Sequence, residues 1–159
     1  MSVDFPVTAA VRFLREKMVD FVPHLYDYVE KGGTAESAKQ LGVDEHAVVK
    51  TLIFETNEKK PLVVLMHGDR QVSTKNLARH CGVKSVEPAT PERANKWTGY
   101  LVGGTSPFGL RAQMPIFVEK TILELDRIYI NGGKRGFLVA IDPTVLPSIL
   151  KTEEVAVAI

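Results

Sequence analysis

Cysteine is nearly missing from this chain: Cys81 stands alone among 159 residues. A lone thiol closes no intrachain disulfide and supplies no cysteine-rich zinc site, so neither device is expected, and a reducing compartment, the cytoplasm, is. Long apolar runs are missing too. None approaches the roughly 20 residues that cross a bilayer. The first 20 residues, interrupted by Arg12, Arg15, Glu16 and Lys17, lack the apolar core and small-residue cleavage site of a secretory signal. Neither a membrane partner nor export is expected. There is no repeat, low-complexity tract or Pro/Ser-rich linker, so residues 1–159 read as one domain. With 45% hydrophobic and 25% charged residues the chain has the proportions of a globular protein, which excludes collagen-like, disordered and coiled-coil classes.

An overall charge excess is also lacking, because 20 Lys and Arg face 19 Asp and Glu. The local balance is different. Residues 69–135 hold 11 basic side chains against six acidic ones and carry +5, which leaves −4 for the flanks. The basic segment contains the glycine-rich loops, where an anionic ligand could be met, although a solvated face carries such charges equally well.

Apolar spacing predicts a first helix over Thr8–Met18, downstream of Pro6, and an edge strand within Phe21–Tyr28, where Pro23 argues against a central position. Thr34 is placed to cap a short helix that Gly42 closes. Val48–Phe54 and Leu62–Met66 are β-rich runs flanking a polar segment, the pattern of a hairpin. Ser73 or Thr74 caps a helix ending at Cys81-Gly82, and Thr90-Pro91-Glu92 opens another. Short strands are predicted at Val83–Val86, Tyr100–Val102, Ile116–Val118, Arg127–Ile130 and Phe137–Ile141. A last helix is predicted from Asp142-Pro143 to near Leu150. Strands and helices intersperse without strict βαβ alternation, so the fold class is α/β, one mixed sheet with a largely β core surrounded by helices.

Two glycine-rich loops carry the chemistry-bearing pattern: Gly99–Gly109, containing Gly103-Gly104-Thr105-Ser106-Pro107, and Asn131–Gly136. Clustered glycine marks backbone that turns with positive φ or admits a close neighbour, and successive N–H groups there can form a nest for an anion or oxyanion. Tight turns between strands account for the same residues, and neither loop has a nucleotide-binding fingerprint. Lys50 sits inside the apolar run Val48–Phe54, sharing one face with Leu52 and Phe54, while Val49, Thr51 and Ile53 share the other. Such a lysine either meets an anion or snorkels to the rim. Ser106 has no recognisable His/Asp partner, the four histidines lack metal-ligand spacing, and Cys81 reads as a structural thiol. Trp97 and Tyr100 could stack a base or simply pack. No metal or cofactor is expected.

In combination, Val48-Val-Lys-Thr-Leu52, Thr98-Gly-Tyr-Leu-Val-Gly-Gly-Thr-Ser-Pro107 and Ile128-Tyr-Ile-Asn-Gly-Gly-Lys-Arg-Gly136 resemble the YbaK/EbsC family of aminoacyl-tRNA deacylases, relatives of the editing domain of bacterial prolyl-tRNA synthetase. The likeness runs from Thr8 to about Leu150. It implies a mixed α/β domain that hydrolyses the ester between a mischarged amino acid and the 3′-terminal adenosine of tRNA, in trans to the synthetase, with cysteinyl-tRNA the substrate most associated with this branch. The aminoacyl-tRNA 3′ end is the implied partner, prolyl-tRNA synthetase a second. By motif, Lys50 would hold the terminal phosphate or sugar region. Gly103, Gly104, Ser106 and Pro107 would shape the amino-acid pocket and offer amides to the ester carbonyl. Thr51, Gly132 and Arg135 would neighbour the substrate. The family's mechanism is substrate-assisted, using a tRNA hydroxyl or the thiol of a bound cysteine. One departure is Leu138, where some relatives carry an acidic residue. The competing reading is a non-catalytic module that binds tRNA ends or a synthetase. A third is a small-molecule esterase or nucleotide-binding protein.

Overall fold

A computed structural model describes residues 4–159, so the first three residues of the domain expected over 1–159 lie outside the described ones. Among the described residues eight strands form one mixed sheet. In chain order they are β1 (Val22–Leu25), β2 (Val48–Thr56), β3 (Pro61–His67), β4 (Val86–Pro88), β5 (Ile116–Glu119), β6 (Ile128–Lys134), β7 (Phe137–Ile141) and β8 (Thr152–Val155). The helices are α1 (Ala9–Glu16), α2 (Gly33–Leu41), α3 (Thr74–Cys81), α4 (Pro91–Thr98) and α5 (Val145–Ile149), with short 3-10 turns at Glu45–Ala47 and Lys120–Glu124. Across the sheet the strand order is β1-β7-β6-β2-β3-β5-β8. The β2–β3 and β6–β7 hairpins are joined side by side by the parallel pair β2–β6, with rungs Val48–Tyr129 and Val49–Ile130. The far end of β2, Phe54–Thr56, pairs with β4.

The sheet is packed on both faces. Under α1, Val49, Val63, Leu65, Val118, Ile128, Ile130, Phe137 and Val139 meet Ala10, Val11 and Leu14 in the larger core. On the opposite face α3 sets Leu77 and Ala78 against Phe54, Leu62, Val64 and Met66, and α2 sets Ala38 against Val48 and Leu138. Each fully buried aliphatic or aromatic side chain is worth about 1.5–3 kcal/mol, so these clusters decide which way every strand faces. The period-2 pattern of β2 therefore sends Val49 and Ile53 to the α1 side and Leu52 and Phe54 to the α3 side.

Local chemistry accounts for most boundaries. Ser73 and Thr90 accept N–H bonds from Asn76 and Arg93, and Gly42 and Gly82 close their helices in the left-handed region. Four expectations are corrected. Gly32, not Thr34, is the N-cap of α2; Thr34 lies in the first turn with its hydroxyl engaged elsewhere. Tyr100–Val102 is not a strand, because Gly99 and Gly103 bracket it at φ 83° and 88° and turn the chain too sharply for a ladder. The strand expected at Val83–Val86 begins only at Val86, since the Val83 amide still bonds Ala78 O in the helix-ending turn. The last helix opens at Val145, after Asp142 has accepted bonds from Thr144 N and Oγ1. β8 was not anticipated. Two of its four residues, Glu153 and Glu154, are exposed acids on a border strand, which hides the alternation.

Candidate active site

Lys50 projects from the α2/α3 face of the sheet, near the end of β2 where it leaves the 3-10 turn. The side chain is half-buried, and Nζ donates to Gly68 O at 3.3 Å. Burial lowers the pKa of the ammonium, and the carboxylates of Glu45 and Asp69 pull it back up. Gly68 is a close-packing glycine. A Cβ there would lie 2.7 Å from Thr34 Oγ1 and 2.8 Å from Glu45 O, so α2, the 3-10 turn and the end of β3 converge on one carbonyl. The Thr34 hydroxyl donates to Glu45 Oε2 at 2.8 Å and lies 3.1 Å from Gly68 O.

Beside this point the rings of His46 and His67 stack at 3.8 Å, and His46 Nδ1 pairs with Asp69 Oδ1 at 2.8 Å. His67 is buried, with Nδ1 2.8 Å from His46 O and Nε2 2.7 Å from Thr121 Oγ1. A carbonyl only accepts, so Nδ1 carries the proton and Nε2 takes the threonine's: a neutral ring with both nitrogens occupied. Burial holds its pKa below the ordinary histidine value. For Asp69, burial works against the charge, but the bond from His46 and the nearby charges prevail and lower its pKa.

On the other side of Lys50, one step past the Val49–Ile130 rung, Asn131 projects from the same face of the sheet. Its Oδ1 accepts from the amides of Gly133 (2.6 Å) and Lys134 (3.1 Å), and its Nδ2 donates to Gly103 O at 3.1 Å. One amide side chain thus shapes its own hairpin and fastens the other glycine loop to it. Arg135 adds a second fastening, with Nε donating to Val102 O at 2.8 Å while its guanidinium covers Tyr28 at 5.2 Å from the ring centre. Gly104 rests directly on this hairpin, where a Cβ would meet Arg135 N at 2.7 Å. Leu101, Val102, Tyr28 and Val29 leave an apolar rim exposed around the junction.

Lys50, Gly103, Gly104 and Arg135 are therefore gathered on one side of the sheet. The other expected residues are not. Thr51 points to the α1 face, its Oγ1 buried and without a partner. Gly132 lies on that same face, under the Phe137 ring, its carbonyl bonded by Thr8 Oγ1. Ser106 is fully buried, and its Oγ accepts from Phe108 N, so it braces the loop from within. Pro107 is buried beside it and has no N–H to offer. The Gly104 amide is engaged with Leu101 O; those of Gly103 and Thr105 bond to no other described residue. Leu138 is buried beneath α2, paired in register with both Asn131 and His24. Asn131, Thr34 and Glu45 were missed as site residues. For Asn131 the signal was present, since an Asn before Gly-Gly is the signature of a side chain that bonds its own turn.

Among the described residues no group of three or more His, Cys, Asp and Glu is placed to hold a metal, and no helix is long and apolar enough to cross a membrane.

Comparison with known proteins places this geometry. The chain is 29% identical over 143 residues to EbsC of Enterococcus faecalis, whose name gives Cys-tRNA(Pro)/Cys-tRNA(Cys) deacylase as a provisional activity; 89% of this chain and 87% of EbsC are covered. It is 38% identical over 96 residues to a proline–tRNA ligase of Nitratidesulfovibrio vulgaris, but those residues span only 16% of the ligase. Among solved structures, the hypothetical protein APE2540 superposes with a TM-score of 0.87 at 24% identity, covering 95% of this chain and 99% of that one. A structure described as a candidate trans-editing enzyme for prolyl-tRNA synthetase superposes with a TM-score of 0.82 at 21% identity, covering 96% and 98%. These two establish the fold, a mixed α/β sheet wrapped by helices. Residues 30–149, which hold Lys50, Asn131 and both glycine loops, match the aminoacyl-tRNA editing domain, and the chain belongs to that family.

Proposed function

We propose that this protein is a trans-editing aminoacyl-tRNA deacylase, hydrolysing the ester that joins a wrongly attached amino acid to the terminal ribose of tRNA. The observation that carries the reading is that the Lys50 ammonium and Asn131, whose side chain holds the Gly103 carbonyl, project from the same face of adjacent strands. The editing-family membership and the named activity of EbsC support the same chemistry.

In this reading Lys50 binds the phosphate or ribose oxygens of the terminal nucleotide, and the amides of Gly103 and Thr105 receive the negative charge that grows on the ester carbonyl oxygen. Water adds to the carbonyl carbon, the bond to the ribose oxygen breaks, and that oxygen leaves with a proton. A general base from the protein is hard to find. Ser106 is sealed and His67 has both nitrogens engaged; His46, held by Asp69 through Nδ1, bonds to no part of the Gly103-Gly104 loop among the described residues. Proton transfer then falls to the substrate, through the neighbouring ribose hydroxyl or, for cysteine, its thiol. The protein supplies position and a polar cradle, effects that reach several kcal/mol when geometry is held. Leu138 places hydrocarbon where some relatives have a carboxylate, so acid-base chemistry from that position is outside the reading. The ligase segment that this chain resembles supports prolyl-tRNA synthetase as a partner, acting on mischarged tRNA(Pro) in the cytoplasm.

The test is a deacylation screen of Cys-, Ala- and Ser-charged tRNA(Pro) against correctly charged controls, with wild type and Lys50→Ala. At least one mischarged species is expected to be released, with kcat/KM falling about 100-fold or more in the variant while the fold is kept, the size associated with a lost electrostatic stabiliser. No release from any species, with tRNA still bound, would make the protein a binding module. Full activity in Lys50→Ala would remove that residue from the mechanism.

A further inference from the structure

We propose a second, separate site: a basic groove between α3 and β4 that grips the phosphate backbone of the tRNA several nucleotides from the acylated end. The inference rests on the deacylase reading for the identity of the polyanion; the groove itself rests on its own geometry. A concavity of about 390 Å³ opens there, bordered by the cationic side chains of Lys75, Arg79 and Lys84 and the hydroxyl-bearing residues Thr74 and Ser85, with apolar residues completing the lining and no carboxylate in it. Among the described residues none of the three cations forms an ion pair, and Arg79 makes only a long bond, 3.4 Å, to Asn76 Oδ1. Cations elsewhere near this end of the sheet are matched: Lys59 meets Glu55 and Glu87, Lys60 meets Glu58, and Arg93 meets Glu55. Three unmatched positive charges around one trough repel each other until an anion arrives. A second concavity, of about 300 Å³, is bordered by Asp20, Asp126 and Asp142 with only Arg127 opposing them, so RNA is drawn to one hollow and turned away from the other.

Position fits the same ligand. α3 packs through Leu77 and Ala78 on Phe54, Val64 and Met66, and by strand alternation that is the face from which Lys50 projects. β4 joins β2 at Phe54–Thr56, four to six residues beyond Lys50, or roughly 13–20 Å at about 3.3 Å per residue. At about 3.4 Å per stacked nucleotide that span takes roughly four to six nucleotides. A 3′ end seated at Lys50 thus places its preceding backbone, rather than its terminal nucleotide, at the groove. Phosphates held by point-charge lysines and one guanidinium give affinity without sequence reading.

The test compares the full chain with the triple variant K75Q/R79Q/K84Q and the single variant Arg79→Gln, which changes one exposed side chain and keeps the question answerable should the triple variant fail to fold. Binding of an uncharged tRNA transcript is measured across a salt series. The slope of log K against log[salt] is expected to shrink by about 2 to 3 in the triple variant and by about 1 in the single one. In deacylation, KM for aminoacyl-tRNA is expected to rise at least tenfold with kcat held, while KM for an aminoacyl ester of the trinucleotide CCA, too short to reach the groove, stays put. An unchanged salt slope with tRNA overturns the groove, as does an equal loss on the trinucleotide ester. Poly-glutamate binding as tightly as tRNA, and through the same three side chains, overturns the RNA assignment in favour of an acidic protein. The two readings fail separately. A wild type that releases no amino acid but loses tRNA affinity in the variant keeps the groove and discards the deacylase. Active wild type with an unaltered salt slope does the reverse.

Discussion

Lys50 and Thr51 are neighbours in sequence but face different sides of the sheet. On the Thr51 side the surroundings are sealed: α1 closes over the larger core, Gly132 is pressed under Phe137, and polar groups are few. On the Lys50 side a cation lies near two carboxylates, and Asn131, projecting from the same face, holds the Gly103 loop. The same glycine-rich motif serves both. Within Asn131-Gly132-Gly133, the asparagine faces the candidate site and the next residue faces the core. A motif residue can therefore be required for packing or for chemistry, and strand parity separates the two.

Substitutions on opposite faces should separate accordingly. The largest effect is expected from Gly132→Ala, whose new methyl would lie 2.4 Å from the Phe137 ring. Overpacking a buried aromatic costs about 1–3 kcal/mol or somewhat more, lowering Tm by several degrees in a scan. Gly104→Ala places its methyl 2.7 Å from Arg135 N, in the buried contact between the two glycine loops. It should lose deacylation at least tenfold while costing less stability than Gly132→Ala; the reverse order would break the division of faces.

Next comes Thr34→Val, which removes the hydroxyl between Glu45 and Gly68. A several-fold to tenfold fall in kcat with KM nearly unchanged is expected, and Thr34→Ser should restore it. A smaller change of opposite sign is expected from Thr51→Val. Its buried Oγ1 has no partner, so the near-isosteric swap should stabilise by about 1 kcal/mol in denaturant unfolding and leave deacylation untouched. Lost activity there would return Thr51 to the site.

The smallest effect is a pH dependence. His67 has a folded pKa depressed by burial, so below the unfolded value of about 6.5 the unfolded chain binds the proton first and stability falls as pH drops toward the folded value. Above about pH 6.5 both states are neutral there and the contribution vanishes. His24, lowered by burial and by Arg127, adds a decline of the same sign. Urea unfolding from pH 8 to 5 should show this loss, reduced in His67→Gln.

What could be read in advance was chemistry that acts within a few residues. Ser73, Thr90, Gly42 and Gly82 end their helices through bonds to the adjacent turn, and the alternation of Val48–Phe54 separated Lys50 from Thr51 before any fold was known. What could not be read depends on partners far along the chain. Thr34 looked like a cap, but Glu45 and Gly68, 11 and 34 residues away, claim its hydroxyl. Asn131 acquires its role from Gly103, 28 positions earlier. Ser106 lies in a glycine loop and is buried because the Tyr100 hydroxyl and the Ser106 hydroxyl both bond the backbone of Phe108 and fold the loop inward. Gly132 follows the alternation of β6, which sets it on the face of Ile128 and Ile130 although its motif neighbours Asn131 and Arg135 hold the other loop.

The bond from Lys50 to Gly68 has an arithmetic consequence. A primary ammonium carries three hydrogens; the backbone claims one and thereby stops the tip from swivelling freely. Two hydrogens remain, splayed at a fixed angle. They are suited to straddle two oxygens at once, so a longer or shorter replacement would err in aim even where its charge survived.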